Sequence, residues 1–400
     1  MNKKTKMLWV LGLMAFLANG DNYAAASLLA DIAGDLGLQL STAALSVTSY
    51  MMAFGAFTLL FGPLSDRFGK ANIINTAAMG TAVFSILGAL SFNLPSLLLF
   101  RGMNGVFGAG IFPVTMALIG ENFDDHHRQK ALGMVMGLAF MGAASATTIG
   151  GAMAFLGSWR LVYLIYGIGE LILAIFMLKL LERDKAKTDK LNLFSSYRIA
   201  FTNFRFMRLV SLLFLVGFTI LGSFTYAGIL LSESTNLNSL FIGLILSIFG
   251  IGTVVGGRVA SGLRKQLGHG FLVYATLLGS LSFFLLASEA GLSVQILGFF
   301  GFGLSFIFLQ STIIATAQEK LPAMKGTAMS LAGFNMFLGG ALGTFINGQI
   351  IDDYGVEQIF FNSALLIFVV GLLAAVFVAR FEIRKKKTEN HDDQDGRSIA

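Results

Sequence analysis

The chain has 400 residues, 55% of them hydrophobic and 12% charged, with 47 glycines, no cysteine and a formal net charge of +6. Soluble chains carry about twice that charged fraction, so a soluble enzyme and a disordered chain are poor fits, and the basic charge has to be located before it implies nucleic acid, because basic residues also set membrane topology. Apolar runs of about twenty residues exclude the alternating strands of an outer-membrane barrel, and the lack of cysteine excludes a disulfide framework, a thiol nucleophile and an iron–sulfur site.

Apolar runs fall at 8–33, 41–61, 71–93, 96–119, 131–155 and 159–181, then at 209–231, 239–260, 270–288, 291–316, 326–348 and 357–379. Each is long enough to cross a bilayer as a helix, so the fold class is all-α and polytopic, with about twelve spans. The first run imitates a secretory signal, with lysines, an apolar stretch and Ala24–Ala26 as a cleavage-like end. It continues through Ser27–Ala33 and is read as a retained first span. The expected organisation is an N-terminal six-helix bundle over 1–181, a polar central loop over 182–208, a C-terminal six-helix bundle over 209–380 and a tail over 381–400.

Of the 28 Lys and Arg residues, all but Arg101 and Arg160 fall at the termini, in every second loop or in the central loop. The opposite loops carry Asp35, Glu233, Glu289, Asp352, Asp353 and Glu357. The positive-inside rule then puts both termini and the central loop on the cytoplasmic side of a cell (inner) membrane. The halves echo each other at an offset of about 195 residues: Lys130-Ala-Leu-Gly-Met134 opens span five and Lys325-Gly-Thr-Ala-Met329 opens span eleven. A duplicated six-helix unit, related by an axis along the membrane normal, produces such an echo.

Spans two and three are joined by Gly62-Pro-Leu-Ser-Asp66-Arg67-Phe-Gly69-Lys70. Gly62 admits a neighbouring backbone and Gly69 a tight turn. Asp66 is placed to meet the N-terminus of a facing helix, with Arg67 and Lys70 at the cytoplasmic surface. The plain alternative is an ordinary basic loop.

On these residues the chain resembles the major facilitator superfamily, whose signature loop reads G-x-L-(S/A)-D-R-x-G-(R/K). A weaker copy after span eight, Gly257 to Gly268, keeps glycines and basic charge but lacks the acid. Within the superfamily the chain is similar to the twelve-span drug:proton antiporters. Arg101-Gly-Met-Asn-Gly105-Val-Phe-Gly108 matches their span-four motif, and Asp21 their span-one acid. In span five the usual Gly-Pro-x-x-Gly-Gly is replaced by Ala146-Thr147-Thr148-Ile-Gly150-Gly151. The resemblance implies alternating access and proton-driven export of small amphipathic molecules.

Asp21 and Arg101 are informative without the family. Asp21 lies about 15 residues past Lys6, or roughly 22 Å along a helix, and Arg101 enters from the opposite face to nearly the same depth. A charge so placed needs a cavity or a partner. The pair is read as proton-titrating, with a structural salt bridge as the alternative. Glu170 in span six is a further intramembrane acid, read as a second proton site or as a structural hydrogen bond. Asp31 is read as a solvated helix end.

The resemblance assigns spans one, two, four, five, seven, eight, ten and eleven to a central cavity. Their candidate lining residues are Tyr23, Tyr50, Asn104, Phe112, Met116, Phe140, Met141, Tyr226, Phe306, Gln310, Phe334 and Asn335, each alternatively a helix–helix packing residue. Together they describe an apolar, aromatic pocket suited to amphipathic compounds. The glycine pattern from Gly250 to Gly256 lies inside a span and lacks the setting of a dinucleotide site. Asp124–His127 reads as a loop rather than a metal site.

The chain is thus expected to be a monomeric secondary transporter in a lipid bilayer, using protons as coupling ion and no other cofactor or metal, with no enzymatic activity and no nucleic-acid partner. Proton-coupled uptake of a small nutrient is the first alternative. A membrane-embedded enzyme or sensor is the remote one, because His126, His127, His269 and His391 all map to loops or the tail.

Overall fold

The computed structural model describes residues 3–123, 125–181, 193–268, 270–288, 290–320 and 325–374. The described chain is helical, without strands. Twelve long helices follow in order: α1 (Lys3–Ala24), α2 (Leu40–Phe68), α3 (Lys70–Ala89), α4 (Leu94–Asn122), α5 (Asp125–Phe155), α6 (Arg160–Leu180), α7 (Phe204–Ser234), α8 (Ser239–Leu267), α9 (Gly270–Ala287), α10 (Leu292–Lys320), α11 (Lys325–Tyr354) and α12 (Val356–Ala374). Among the described residues, eleven helices are long and apolar enough to cross a membrane. The remaining long one, α1, carries Asn19, Asp21 and Asn22 in its second half, which lower its hydropathy.

Several boundaries differ from the sequence expectation. The first run does not continue as one helix to residue 33: α1 gives way to a 3₁₀ turn at Ala25–Ser27 and a separate helix, Leu29–Leu36. The Gly62–Lys70 segment is not a loop either. α2 runs on through Phe68, and the turn is made by Gly69 alone at φ 92°. Its counterpart between α8 and α9, Gly268, also has positive φ, 53°; only glycine enters that region cheaply. α4 is interrupted around Ala109–Ile111, ahead of Pro113, and α7 widens into a π turn at Gly217–Leu221. Much of the central loop (182–192), Asp124, His269, Glu289 and the tail beyond Ala374 lie outside the described residues.

Packing repeats between the halves. α1 packs on α5, α2 on α4 and α3 on α6; α7 packs on α11, α8 on α10 and α9 on α12. Glycines bring these backbones together: a side chain at Gly142 would strike the Phe16 carbonyl, and one at Gly339 the Phe214 carbonyl. The outer helices show apolar stripes, with Ile165, Ile168, Ile172 and Ile175 on α6 and Tyr274, Leu277, Leu281 and Phe284 on α9 all exposed. Exposed aliphatic and aromatic stripes on spanning helices suit acyl chains rather than water.

The halves meet along two seams, α2 with α11 and α5 with α8. The α2–α11 seam runs from Ser41 beside Gly348, through Gly55 beside Phe334 and Leu338, to Gly62 beside Ser330. On the other seam Thr147 and Thr148 donate to the Gly243 carbonyl at 3.0 and 3.3 Å, and Gly250 abuts Ala144. Beyond that point a side chain added at Gly133, Gly137 or Gly262 would meet nothing within 4 Å. At the end bearing Asp35, α1 and the turn after it also reach α7: Gly228 abuts the Ala26 carbonyl, and Tyr23 meets Phe224 edge-on at 6.2 Å. That end is closed across both halves.

Candidate functional site

α1, α3, α4 and α6 enclose a cluster of buried polar side chains. Asp21 Oδ1 lies 3.0 Å from Arg101 Nη1, both side chains at most 2% exposed. Ser85 on α3 donates toward Asp21 Oδ2 at 3.1 Å and also lies 3.0 Å from the Tyr163 carbonyl. The Arg101 guanidinium sits between the rings of Tyr50 and Tyr163, 4.7 and 4.8 Å from their centroids. Desolvated cations gain most from such aromatic faces. The glycines of the α4 motif make the approach possible, since a side chain at Gly105 would strike the Tyr50 backbone.

Glu170 on α6 is fully buried, and neither carboxyl oxygen has a hydrogen-bond partner among the described residues. Thr81, which faces it, directs its hydroxyl to the Ala78 carbonyl at 3.0 Å. One turn away, the Tyr166 hydroxyl is likewise buried and unpartnered, beside Gly20 of α1. Of these two buried acids, Asp21 is the one that pairs with Arg101 among the described residues.

The cavity candidates divide. Tyr23 and Phe224 meet across the halves, and Phe306 packs on Phe249 at 5.9 Å. Gln310 donates to the Met336 sulfur at 3.0 Å, linking α10 to α11. Phe140 and Met141 of α5 are exposed, and Phe334 stands at the α2–α11 seam. Others make bonds and contacts within the helix bundle. Tyr50 stacks on Arg101, Asn104 donates to the Thr81 carbonyl at 3.1 Å, and the Tyr226 hydroxyl donates to the Thr344 carbonyl at 2.7 Å. Asn335 bonds its own helix at Leu331, while Phe112 and Met116 pack into a small apolar cluster with Ala15 and Val135. Buried amide and phenol groups must be satisfied locally, which accounts for the bonds that Asn104 and Tyr226 make.

The α2–α3 turn also departs from expectation. Among the described residues Asp66 pairs with Lys70 at 3.1 Å, and its side chain is 72% exposed. Lys70 does not lie at the surface but is buried, with its Nζ 2.6 Å from Glu121 at the end of α4. Arg67 lies over the Phe68 ring. At the opposite end, Arg160 stacks on Trp159, ion-pairs with Asp35 and donates to the Ser91 carbonyl at 2.8 Å. The Arg160 hydrogen bond holds the Asp35 carboxyl below the usual carboxylate range, while burial raises that of Asp31, which is half-buried rather than fully solvated.

Ser85, Tyr163, Tyr166 and Glu121 did not stand out in the sequence. A serine or tyrosine within an apolar run is ordinary, and only the burial of an acid on a neighbouring helix gives it meaning. Glu121 had one signal, as an acid just past the end of the fourth apolar run.

A family model described as Major Facilitator Superfamily matches residues 11–344. The chain is 27% identical over 345 residues to the multi-drug resistance efflux pump PmrA of Streptococcus pneumoniae, covering 83% of each chain. It is 26% identical over 377 residues to the quinolone resistance protein NorB of Staphylococcus aureus, covering 78% of this chain and 80% of that one. Among solved structures, the nucleoside transporter NupG superposes with a TM-score of 0.77 at 15% identity, covering 95% of this chain and all of that one. The likeness in fold, extending over nearly the whole chain, and the family match over residues 11–344 lead to one conclusion: this chain belongs to the major facilitator superfamily of membrane transporters.

Proposed function

We propose that the chain is a proton-coupled exporter of small amphipathic compounds, working by alternating access in a bacterial cell membrane with both termini in the cytoplasm. The observation that carries this reading is the buried Asp21–Arg101 pair, held by Ser85 and flanked by Tyr50 and Tyr163. Burying two charges costs several kcal/mol each unless partners compensate; for structure alone an apolar pair would serve as well. A pair that changes partners when one proton arrives has two arrangements whose balance follows the proton gradient.

An ionised Glu170 without a donor would be far costlier than a neutral one, so in this arrangement Glu170 carries a proton and Asp21 carries the charge that Arg101 compensates. Protonation of Asp21 would release Arg101 toward Glu170 or the amides Asn19, Asn22 and Asn104. Tyr23, Phe224, Phe249 and Phe306 offer aromatic surface without a fixed charge, in keeping with amphipathic cargo. The efflux-pump relatives support the outward direction.

The test is transport in inside-out vesicles with an imposed pH gradient and a panel of dyes, antibiotics and metabolites. Gradient-driven accumulation of cationic or neutral amphipaths is expected. Movement of no compound under either polarity would overturn the reading, and uptake into right-side-out vesicles alone would reverse its direction.

A further inference from the structure

Pro63 lies inside α2, and its ring nitrogen carries no hydrogen for the carbonyl four residues back, that of Leu59. A helix carbonyl freed inside a protein needs another donor. The donor comes from a different element: the Tyr197 hydroxyl lies 2.6 Å from the Leu59 carbonyl and donates to it. Tyr197 stands in the helix Leu193–Thr202, on the segment that joins the two halves. The same phenol faces Ser330 of α11, and Ser330 is the residue that Gly62 of α2 approaches where the seam reaches the basic end. One half-buried phenol thus touches α2 at its proline and α11 at the residue opposite. Burial raises the phenol's pKa, so it keeps its proton and remains a donor at neutral pH.

We propose that Tyr197 is a positioning residue of the transport cycle: by capping the carbonyl that Pro63 frees, it fastens the joining segment to the α2–α11 seam and holds the basic end of that seam shut. For α2 and α11 to part there, the phenol must leave one of its two neighbours. The proline creates the docking point and the tyrosine occupies it, so each has its effect only through the other. Any residue with an N–H at position 63 would restore the ordinary helix bond to Leu59 and leave Tyr197 without that task. The consequence for transport rests on the proposed function; the state of the seam does not.

The chain has no native cysteine, so a single Thr58→Cys thiol in the full-length protein reports the seam, because Thr58 packs against Gly333 of α11. Tyr197→Phe is expected to raise the labelling rate of that thiol roughly five- to tenfold, the effect of losing one such hydrogen bond. In a Pro63→Ala background the same change is expected to alter the rate less than about twofold. Should Pro63→Ala fail to accumulate, Pro63→Ser restores the same N–H and serves as the background. An unchanged rate after Tyr197→Phe, or an equal rise in both backgrounds, overturns the proposal. Labelling needs neither substrate nor gradient, so its failure is distinct from a failure of the vesicle experiment.

Discussion

Lys70 lies closer to Glu121, at 2.6 Å, than to the aspartate of its own motif, Asp66, at 3.1 Å. The Lys70 side chain is only 8% exposed, so its ammonium depends on partners for what water no longer supplies. Asp66 stands mostly in solvent, where an ion pair contributes little. Glu121→Ala is therefore expected to destabilise the protein by about 1–2 kcal/mol, as for a lost hydrogen bond to a charged group, and Asp66→Asn by less than about 0.5 kcal/mol. Thermal unfolding in detergent compares the two, and the reverse order would contradict this anchoring of the turn to α4. If Asp66 acts instead between conformations, Asp66→Asn slows turnover while equilibrium binding stays within a few-fold.

Asp21→Asn keeps the shape of the carboxyl and mimics its protonated form. It is expected to abolish gradient-driven transport while substrate still binds, with binding no longer dependent on pH. Arg101→Ala is also expected to stop coupled transport, because Asp21 loses its compensating charge. Substrate-induced proton release from solubilised protein is the measurement. Equal release from wild type and Asp21→Asn would remove Asp21 from the proton path.

Glu170→Gln makes the opposite kind of prediction. If Glu170 is already neutral in this arrangement, replacing it with a neutral isostere is expected to change stability by less than about 1 kcal/mol. An ionised Glu170 would make the same substitution strongly stabilising, since it would remove an unpaired buried charge. The melting temperature decides between them. Proton release per substrate in the same variant then tells whether that proton moves during the cycle.

The Asp35–Arg160 pair predicts a pH effect at the closed end. Arg160 lowers the Asp35 pKa below its ordinary 3.8 in the folded protein. The pair's contribution is present above that ordinary value and is lost as pH falls through the lower folded one. Asp35 is 44% exposed, which limits the contribution to a few tenths of a kcal/mol. Melting curves of wild type and Asp35→Asn are expected to differ slightly at pH 6 and to draw together only as pH falls below 3.8. A difference that grows on acidification would contradict the assignment.

The twelve helices were legible because a bilayer demands long apolar runs, and the Asp21–Arg101 pairing because two charges at one depth must be accommodated. What hydropathy could not show was where helices continue past the apolar run. Asp66 and Arg67 are polar yet helical, since the turn waits for Gly69. Nor could it divide the cavity candidates: Tyr226 and Phe306 are equally aromatic, but the hydroxyl of Tyr226 is spent on the Thr344 carbonyl. Hydrogen bonds between helices distant in sequence, such as Ser85 to Asp21 or Tyr197 to Leu59, leave no local pattern at all.

The π turn at Gly217–Leu221 holds one residue more than a regular helical turn would. Everything after it in α7 is therefore rotated by about 100° from where uninterrupted α-helical counting would put it. Phe224, which meets Tyr23 across the halves, and Tyr226, which closes onto Thr344, owe their facing to that extra residue. A one-residue deletion among Phe218–Ile220 would leave the span its length and hydropathy, yet turn both rings away from their partners. The aromatic surface between the halves is thus set by an insertion, and aligning this helix with a relative lacking it would require a gap inside a membrane span.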